Sequence, residues 1–428
     1  MTASIDDDTL YTLGERAVEL DGDDPEAWRL DPVADALADA TVIGMGEATH
    51  GTHEHFRLKA ALFRRLVADH GVRLFGLEAN YSETLAIDRY VRGTDDAPDS
   101  AADALAATYF WPWYVAELAD LVEWLREFNA GRPPAEQVRF LGFDAQYAVG
   151  GAEALQPFLA EADPELLDSH RGTLEMLADW GLDTDEEREL ASRIEDAQRF
   201  LDAFRDRLAD RRAEYVAATS ERAVQRAERH RSTMADAVDL ELTDSDAELL
   251  ERRDRAMADG VDRLRDATPH DRIALWAHNA HVQRAPFDFE GEGTRTMGQH
   301  LAERYSEDYV AIGFSFTEGS YQAMAADHDG EYGLRDCVVD AAEGSIGGTL
   351  GRADGSPLFL DHRAVDAEGL ETFLREERPL RQPGGMYDPD ESYESDIVLA
   401  DAFDALCHVD ETTRAVPLGH PAEIDSWG

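Results

Sequence analysis

Thr41-Val42-Ile43-Gly44-Met45-Gly46-Glu47-Ala48-Thr49-His50-Gly51-Thr52 is the stretch on which the reading of this chain turns. Val42, Ile43 and Met45 make a short apolar run, and Gly44, Gly46 and Gly51 allow a tight turn and a close approach of backbone to a ligand. Beyond the turn Phe56, Ala60, Phe63 and Val67 recur at helical spacing. A strand that turns into a helix is the opening of an α/β unit. The turn has neither the Rossmann glycine spacing nor the Lys-Ser/Thr pair of a P-loop, so it predicts no nucleotide site. It presents Glu47 and His50 instead. Lys59, three residues after Phe56 and four before Phe63, borders the buried face of the helix, whereas Arg64 and Arg65 read as solvated. Lys59 is the only lysine: of 40 Lys plus Arg, the other 39 are arginine. Arginine does not replace lysine where a compact cation is needed, so its survival beside this turn marks it as functional.

Further apolar runs read as buried parallel strands at 73–77, 138–143, 272–277 and 309–316, with weaker ones at 357–360 and 405–409. Strands alternating with helices predict an α/β fold, a central and mostly parallel sheet flanked by helices. The interval of about 152–268 breaks that rhythm. Leu190, Ile194, Ala197, Leu201, Phe204 and Leu208 keep helical spacing there, and Ser245 with Glu248 suits a capping box. We read it as a helical insertion within one domain spanning 1–428, since no linker composition or internal repeat interrupts the chain.

The formal charge is −51, from 91 Asp plus Glu against 40 Lys plus Arg, with 43% hydrophobic residues. That is a globular core under an acidic coat. Such a coat repels itself at ordinary ionic strength and is screened within about 3 Å in molar salt. Acid excess with one lysine therefore suggests a salt-filled cytoplasm of the halophilic archaeal kind. The same charge opposes nucleic acid and anionic membranes as partners and favours a small molecule that is neutral or basic. Cys337 and Cys407 allow at most one disulfide, which suits a reduced compartment. No signal peptide or membrane-length apolar run is visible, so a cytoplasmic location is expected. No motif specifies an oligomeric state.

In open α/β sheets, ligands sit beyond the carboxyl ends of the strands. Here those ends carry Glu47 and His50, then Glu78, then Asp144, then His278 and His281. One acidic strand end is routine as a helix cap, but four ends supplying two glutamates, an aspartate and a histidine pair form a constellation. Arg253 falls on the apolar stripe of Leu250, Met257, Val261 and Leu264, where a charge needs a partner. It would order Glu47 or Glu78, or face the substrate. Tyr109-Phe110-Trp111-Pro112-Trp113-Tyr114 is either core or the aromatic wall of a cleft. Tyr109, Trp111 and Trp113, with Asp144, are the candidate substrate contacts.

These motifs resemble a known family. Gly46-Glu47-Ala48-Thr49-His50-Gly51-Thr52 with Glu54, Lys59 and Phe63-Arg64 resembles the signature of the erythromycin esterases. So do Gly76-Leu77-Glu78, Trp111 and Trp113 with Trp124-Leu125-Arg126, Phe140-Leu141-Gly142-Phe143-Asp144, Arg253-Asp254 and Trp276-Ala277-His278-Asn279-Ala280-His281-Val282. The resemblance implies an esterase, metal-independent or weakly linked to metal, that hydrolyses a macrocyclic lactone, and with it a tie to antibiotic response. It makes His50 the general base for water and Glu47 its orienting carboxylate. Glu78 and His278 complete the site, and Lys59 stands where a basic residue is expected. Asp259 departs from the pattern, which has asparagine there.

The residues themselves support direct attack by water, since no Gly-x-Ser-x-Gly elbow occurs and Gly313-Phe314-Ser315 is the nearest approach. His278, His281, Lys59 or Arg253 could then bind the oxyanion or return a proton. No cofactor is expected. Two rivals remain open. One is a hydrolase using a divalent metal held by His50, His53, His55, Glu47, Glu78 and His278, although no HExxH helix is present. The other is a cleft that sequesters a ligand or metal without turnover.

Overall fold

The computed structural model describes residues 7–20, 28–182, 184, 187–289, 291–326, 330–353, 356–391 and 393–419. One large sheet carries ten strands: β1 (Val18–Glu19), β2 (Val42–Met45), β3 (Leu74–Asn80), β4 (Arg139–Asp144), β5 (Ile273–Trp276), β6 (Tyr309–Ala326), β7 (Tyr332–Val339), β8 (Leu358–Asp361), β9 (Met386–Tyr387) and β10 (Ala405–Thr412). Their order is β1-β8-β10-β6-β2-β5-β3-β4, with β7 and β9 also paired to β6. Six neighbour pairs are parallel, among them all those from β10 across to β4. The fold is the α/β sheet that the alternating pattern predicts, and all seven predicted runs are strands of it.

Register and strand order together place the site. β5 lies between β2 and β3, pairing Val42 with Ile273 on one side and Leu74 with Ile273 on the other. Every residue of β2, β3 and β5 is buried, as the unbroken apolar runs require of strands covered on both faces. The chain leaves the three strands at Glu47, Glu78 and His278, so these residues meet although they lie far apart in sequence.

Helix α1 (His53–Asp69) follows β2 and packs its stripe of Phe56, Leu62, Phe63 and Leu66 on the sheet. Arg64 is not simply solvated: its guanidinium donates to the Asp120 carbonyl and lies 5.7 Å from the Trp124 ring. Helix α2 (Tyr81–Arg92) follows β3. Asn80 caps it by accepting from the Ser82 N–H at 2.9 Å. Helix α3 (Ala116–Asn129) precedes β4.

Between β4 and β5 the chain is helical: α4 (Val149–Ala162), α5 (Pro164–Ala178), α6 (Glu187–Ala218), α7 (Glu221–Leu240) and α8 (Asp246–Asp266). α4 to α7 share an apolar cluster of their own, including Leu155, Leu174, Phe200, Phe204 and Met234. α8 packs instead on the sheet, where Met257, Val261 and Leu264 join Leu74, Leu141 and Ile273. Ser245 caps α8 by accepting from Glu248 N–H at 3.2 Å, but the return bond from Glu248 reaches the Asp244 N–H, one residue short of a capping box. β6 is longer than its apolar run. Past Phe316 it continues beyond the sheet edge as a hairpin with β7, pairing Gly319 with Val339 and Ala326 with Tyr332. That hairpin sets Met324 and Leu334 against Phe110 and Trp111.

Candidate functional site

Glu47 sits at the end of β2 with no exposed surface, and three donors converge on its carboxylate. His50 donates through Nδ1 to Oε1 at 2.6 Å. Trp276 Nε1–H donates to Oε2 at 2.8 Å, and the Lys59 ammonium donates to the same oxygen. Burial alone would raise the Glu47 carboxyl, but Lys59 and His50 outweigh it and hold it below its ordinary range. Burial pushes the Lys59 ammonium down to about 8 against the pull of Glu47. Its Nζ lies 3.9 Å from the Trp276 ring centroid, so the ammonium is enclosed by a carboxylate and aromatic faces. Helical spacing places Lys59 at the border of the buried face; the structure places it wholly inside.

The orientation of His50 follows from these bonds. With Nδ1–H committed to Glu47, the lone pair of Nε2 is the free one, and Nε2 has no hydrogen-bond partner among the described residues. The ring packs 5.5 Å from Phe110, 6.1 Å from Trp113 and 5.2 Å from His278, centroid to centroid.

A second charged cluster backs the first. Arg253, at the buried face of α8, makes a two-pronged contact with Asp144, Nε to Oδ1 at 3.0 Å and Nη2 to Oδ2 at 2.8 Å. Its Nη2 also donates to Glu78 Oε1 at 2.9 Å. Glu78 Oε2 accepts the His278 backbone N–H at 2.7 Å. Burial opposes ionisation of Glu78, but His281, His50 and Arg253 together keep its carboxyl well below the usual range. His281 donates through Nδ1 to Asp254, 3.0 Å from both oxygens, and its Nε2 lies 3.3 Å from Glu78 Oε1. Burial and the Arg253 guanidinium, whose Nη1 stands 3.3 Å from Nε2, lower this imidazole, yet Asp254 and Glu78 overcome them and raise it to about 10. His278 is the opposite case. Its Nδ1 accepts the Ala280 N–H at 3.2 Å, so Nε2 carries the hydrogen and donates to the Ala48 carbonyl at 3.2 Å. Burial, and then the neighbouring His50, push it down to about 3. It stays neutral.

The aromatic segment divides. Phe110 and Trp111 stand beside His50, against the hairpin. Trp113 has no exposed surface and donates through Nε1 to the Glu78 carbonyl at 3.0 Å, so it supports the site from within. Tyr109 turns outward to Tyr147 and Trp180, with centroids 6.2 and 5.1 Å away. Asp144 is buried and committed to Arg253. The remaining wall is the loop ahead of β9, where the Gly384 carbonyl accepts the His50 N–H at 3.0 Å and the Gly385 carbonyl accepts the Met324 N–H at 2.9 Å.

Glu47, His50, Lys59, Glu78, Arg253, His278 and His281 therefore lie together at one sheet edge. His53 and His55 do not. His53 pairs with Glu117, and His55 reaches the Ser315 carbonyl at 3.4 Å on the other side of α1. Among the described residues, no group of three or more His, Cys, Asp or Glu side chains is arranged to hold a metal ion. Cys337 and Cys407 are both buried free thiols. Asp259 pairs with Arg304 on the far, exposed side of α8, away from the site. Trp276, Asp254, Phe110 and Gly385 belong to the site beyond the residues singled out by sequence. Three lie within motifs quoted from the sequence without being given a role there, but Gly385 is marked in the sequence only by a glycine- and proline-rich loop. No described helix is long and apolar enough to cross a membrane.

The chain is similar to several known proteins. Erythromycin esterase type II of Escherichia coli is 23% identical over 337 residues, 71% of this chain and 75% of the relative. Erythromycin esterase type I of the same organism is 28% identical over 304 residues, 64% of this chain and 70% of the relative. Among solved structures, a Bacillus cereus protein superimposes with a TM-score of 0.78 at 23% identity, covering 96% of this chain and 99% of that one. An erythromycin esterase mutant in its open conformation does so with a TM-score of 0.67 at 20% identity, covering 95% and 99%. The erythromycin esterase family model matches residues 67–412, and the chain belongs to that family.

Proposed function

We propose that this protein is a carboxylic ester hydrolase that cleaves an ester or macrocyclic lactone by attack of a water molecule activated by His50. The observation that carries the reading is the His50 imidazole, tied through Nδ1 to a buried carboxylate at 2.6 Å with Nε2 left as a free base beside an aromatic wall. A base and its orienting carboxylate are the two parts that general-base catalysis requires, and such help contributes ~100- to 10,000-fold.

In this mechanism a water oxygen attacks the ester carbonyl carbon while its proton passes to His50 Nε2. Glu47 stabilises the imidazolium, and Lys59 and Trp276 hold Glu47 ionised and in place. The tetrahedral intermediate then collapses by breaking the bond from carbonyl carbon to alkoxide oxygen. His50 returns the proton to that oxygen, leaving acid and alcohol. The groups named by sequence for the oxyanion have other work. Lys59 is bonded to Glu47, Arg253 to Asp144 and Glu78, His278 to Ala48, and His281 to Asp254 and Glu78. The Trp111 indole N–H and the Gly385 amide, both without a partner among the described residues, are the donors we assign to it. A serine nucleophile is a poor alternative. Ser315 is buried, and its hydroxyl lies 2.9 Å from the buried His408 Nδ1, within the sheet.

The substrate is a small neutral or basic ester, consistent with the charge of −51, and a macrolide lactone would tie the protein to antibiotic response. The test is a panel of esters and lactones, followed through many turnovers per enzyme, with metal analysis of the same preparation. We expect multiple turnovers by wild type and none by folded His50→Ala. Activity retained in His50→Ala would overturn the mechanism, and depletion of ligand that stops at one equivalent would show sequestration instead.

A further inference from the structure

The loop ahead of β9 brings a glycine against the reacting edge of His50. A Cβ on Gly385 would lie 3.2 Å from His50 Cδ2, 3.4 Å from Trp111 Cζ2 and 3.6 Å from Phe110 Cζ. Cδ2 is the ring carbon bonded to Nε2, the free base nitrogen. Cζ2 belongs to the same edge of the indole as Nε1. The point where a methyl would stand is therefore the point between the base and the indole donor.

The backbone around it is fixed from both sides. Gly384 pairs with Thr49 as an isolated parallel bridge, and its carbonyl accepts the His50 N–H at 3.0 Å. The Gly385 carbonyl accepts the Met324 N–H at 2.9 Å, and Met386 and Tyr387 pair with Met324 and Ala325 of β6. The loop is thus a wall of set distance from the imidazole. The two glycines are present for different reasons. Gly384 has φ of +64°, a left-handed conformation that side chains rarely adopt, and a Cβ there would stand at ordinary contact distance, 3.9 Å, from His50 Cδ2 and His278 Nε2. Gly385 is not among the residues of positive φ, so its backbone suits any residue, and what it lacks is room.

We propose that Gly385 is the specificity-determining residue of the His50 site: its missing side chain keeps open the gap between the His50 imidazole and the Trp111 indole through which an acyl carbonyl reaches the base. This rests on the reading of His50 as general base. Any larger residue at 385 closes the gap, and the bulk tolerated on the acyl side of the ester is set by the distance from this wall to the two rings.

The experiment compares wild type, Gly385→Ala and Gly384→Ala. Access to His50 is read first, without any substrate, as the rate at which diethyl pyrocarbonate modifies His50 by mass spectrometry, with His53, 29% exposed, as internal standard. Gly385→Ala should slow modification of His50 by about tenfold or more while His53 is unchanged. Gly384→Ala, which strains the same loop and sets its methyl 3.9 Å from His50 Cδ2 without entering the space beside Trp111, should slow the His50 rate less than Gly385→Ala does. Hydrolysis of 4-nitrophenyl esters of increasing acyl size is read second. Gly385→Ala should lose rate more steeply with acyl bulk, with loss reaching about 100-fold, the scale set by misplacing a reacting group by an ångström. Equal modification rates in wild type and Gly385→Ala, or equal slowing in both variants, would overturn the proposal. Slowed modification of His50 in a protein whose wild type cleaves no ester would keep the gap and sink the esterase reading.

Discussion

Replacing Glu47 by Gln changes one oxygen to nitrogen, and the pattern of donors around the carboxylate dictates which. Oε2 receives Lys59 and Trp276, whereas Oε1 receives only His50. An amide with its oxygen at the Oε2 position keeps both of those bonds and presents its NH₂ to His50. The opposite orientation keeps the His50 bond but sets an NH₂ against an ammonium and an indole N–H. Each buried donor left without an acceptor costs about 1–3 kcal/mol, so the first orientation prevails. His50 Nδ1 must then accept, its hydrogen moves to Nε2, and the base nitrogen has no lone pair to offer. Loss of the correct tautomer costs about 10⁴ in kcat in a serine-protease triad, and we expect a loss of ~10³- to 10⁴-fold here. Stability should fall by less than the ~3–5 kcal/mol typical of a broken buried ion pair. Lys59, already pushed down to about 8, can shed its proton once its counter-charge is gone. The assay is kcat on the ester found by the panel, beside ¹⁵N chemical shifts of the His50 ring. A Glu47→Gln enzyme within tenfold of wild type, or one whose Nε2 is unprotonated, would refute this account.

Three further outcomes are expected. Lys59→Arg keeps the charge but puts a planar fork into a slot closed by Trp276, Phe56 and Phe314, with Nζ now 3.9, 5.3 and 5.8 Å from their centroids. Overpacking of about 1–3 kcal/mol and a displaced Glu47 should lower the rate at least ~tenfold, and undiminished activity would make the lone lysine incidental. The charge of −51 should make the melting temperature rise as KCl goes from low to molar concentration, and a melting temperature indifferent to salt would remove the halophilic reading. The stability lost on His281→Gln, read as the difference in unfolding free energy from wild type by urea titration at fixed high salt, should shrink as pH rises from 6.5. His281, raised to about 10, contributes fully below 6.5 and progressively less above it. A difference that stays constant or grows over that window would contradict the assignment.

The sheet was legible because buried parallel strands are short unbroken apolar runs, and those at 41–46, 73–77, 138–143 and 272–277 differ from their strands by a few residues at most. The site was legible because strand ends are where such sheets place ligands, which is how Glu47, Glu78, Asp144 and His278 could be grouped from sequence. What periodicity could not supply is direction. Asp144 and Trp113 look like substrate contacts by position, but each is committed inward, to Arg253 and to the Glu78 carbonyl. Arg253 shows the converse. A cation on an apolar stripe announces a buried partner, and the partners are Glu78 and Asp144. The β6–β7 hairpin and Gly385 were hidden because their role is set by contacts across the sheet edge, with positions distant in the chain.

The two histidines at 278 and 281 show how the charges around His50 are arranged. They stand three residues apart on one short helix, yet one is held near 3 and the other near 10. The difference is in their acceptors. His281 has carboxylates on both nitrogens, Asp254 and Glu78, whereas His278 has a backbone N–H on one and a carbonyl on the other. His278 is the one that packs against His50, at 5.2 Å. A protonated neighbour there would oppose the imidazolium that the proposed mechanism forms at His50. The structure keeps the neutral ring next to the base and sets the charged one behind Glu78. The carboxylates then act in one direction. Glu47 faces the charge that the proposed mechanism develops on His50, and Glu78, Asp144 and Asp254 offset Arg253 and the raised His281 that would otherwise resist it.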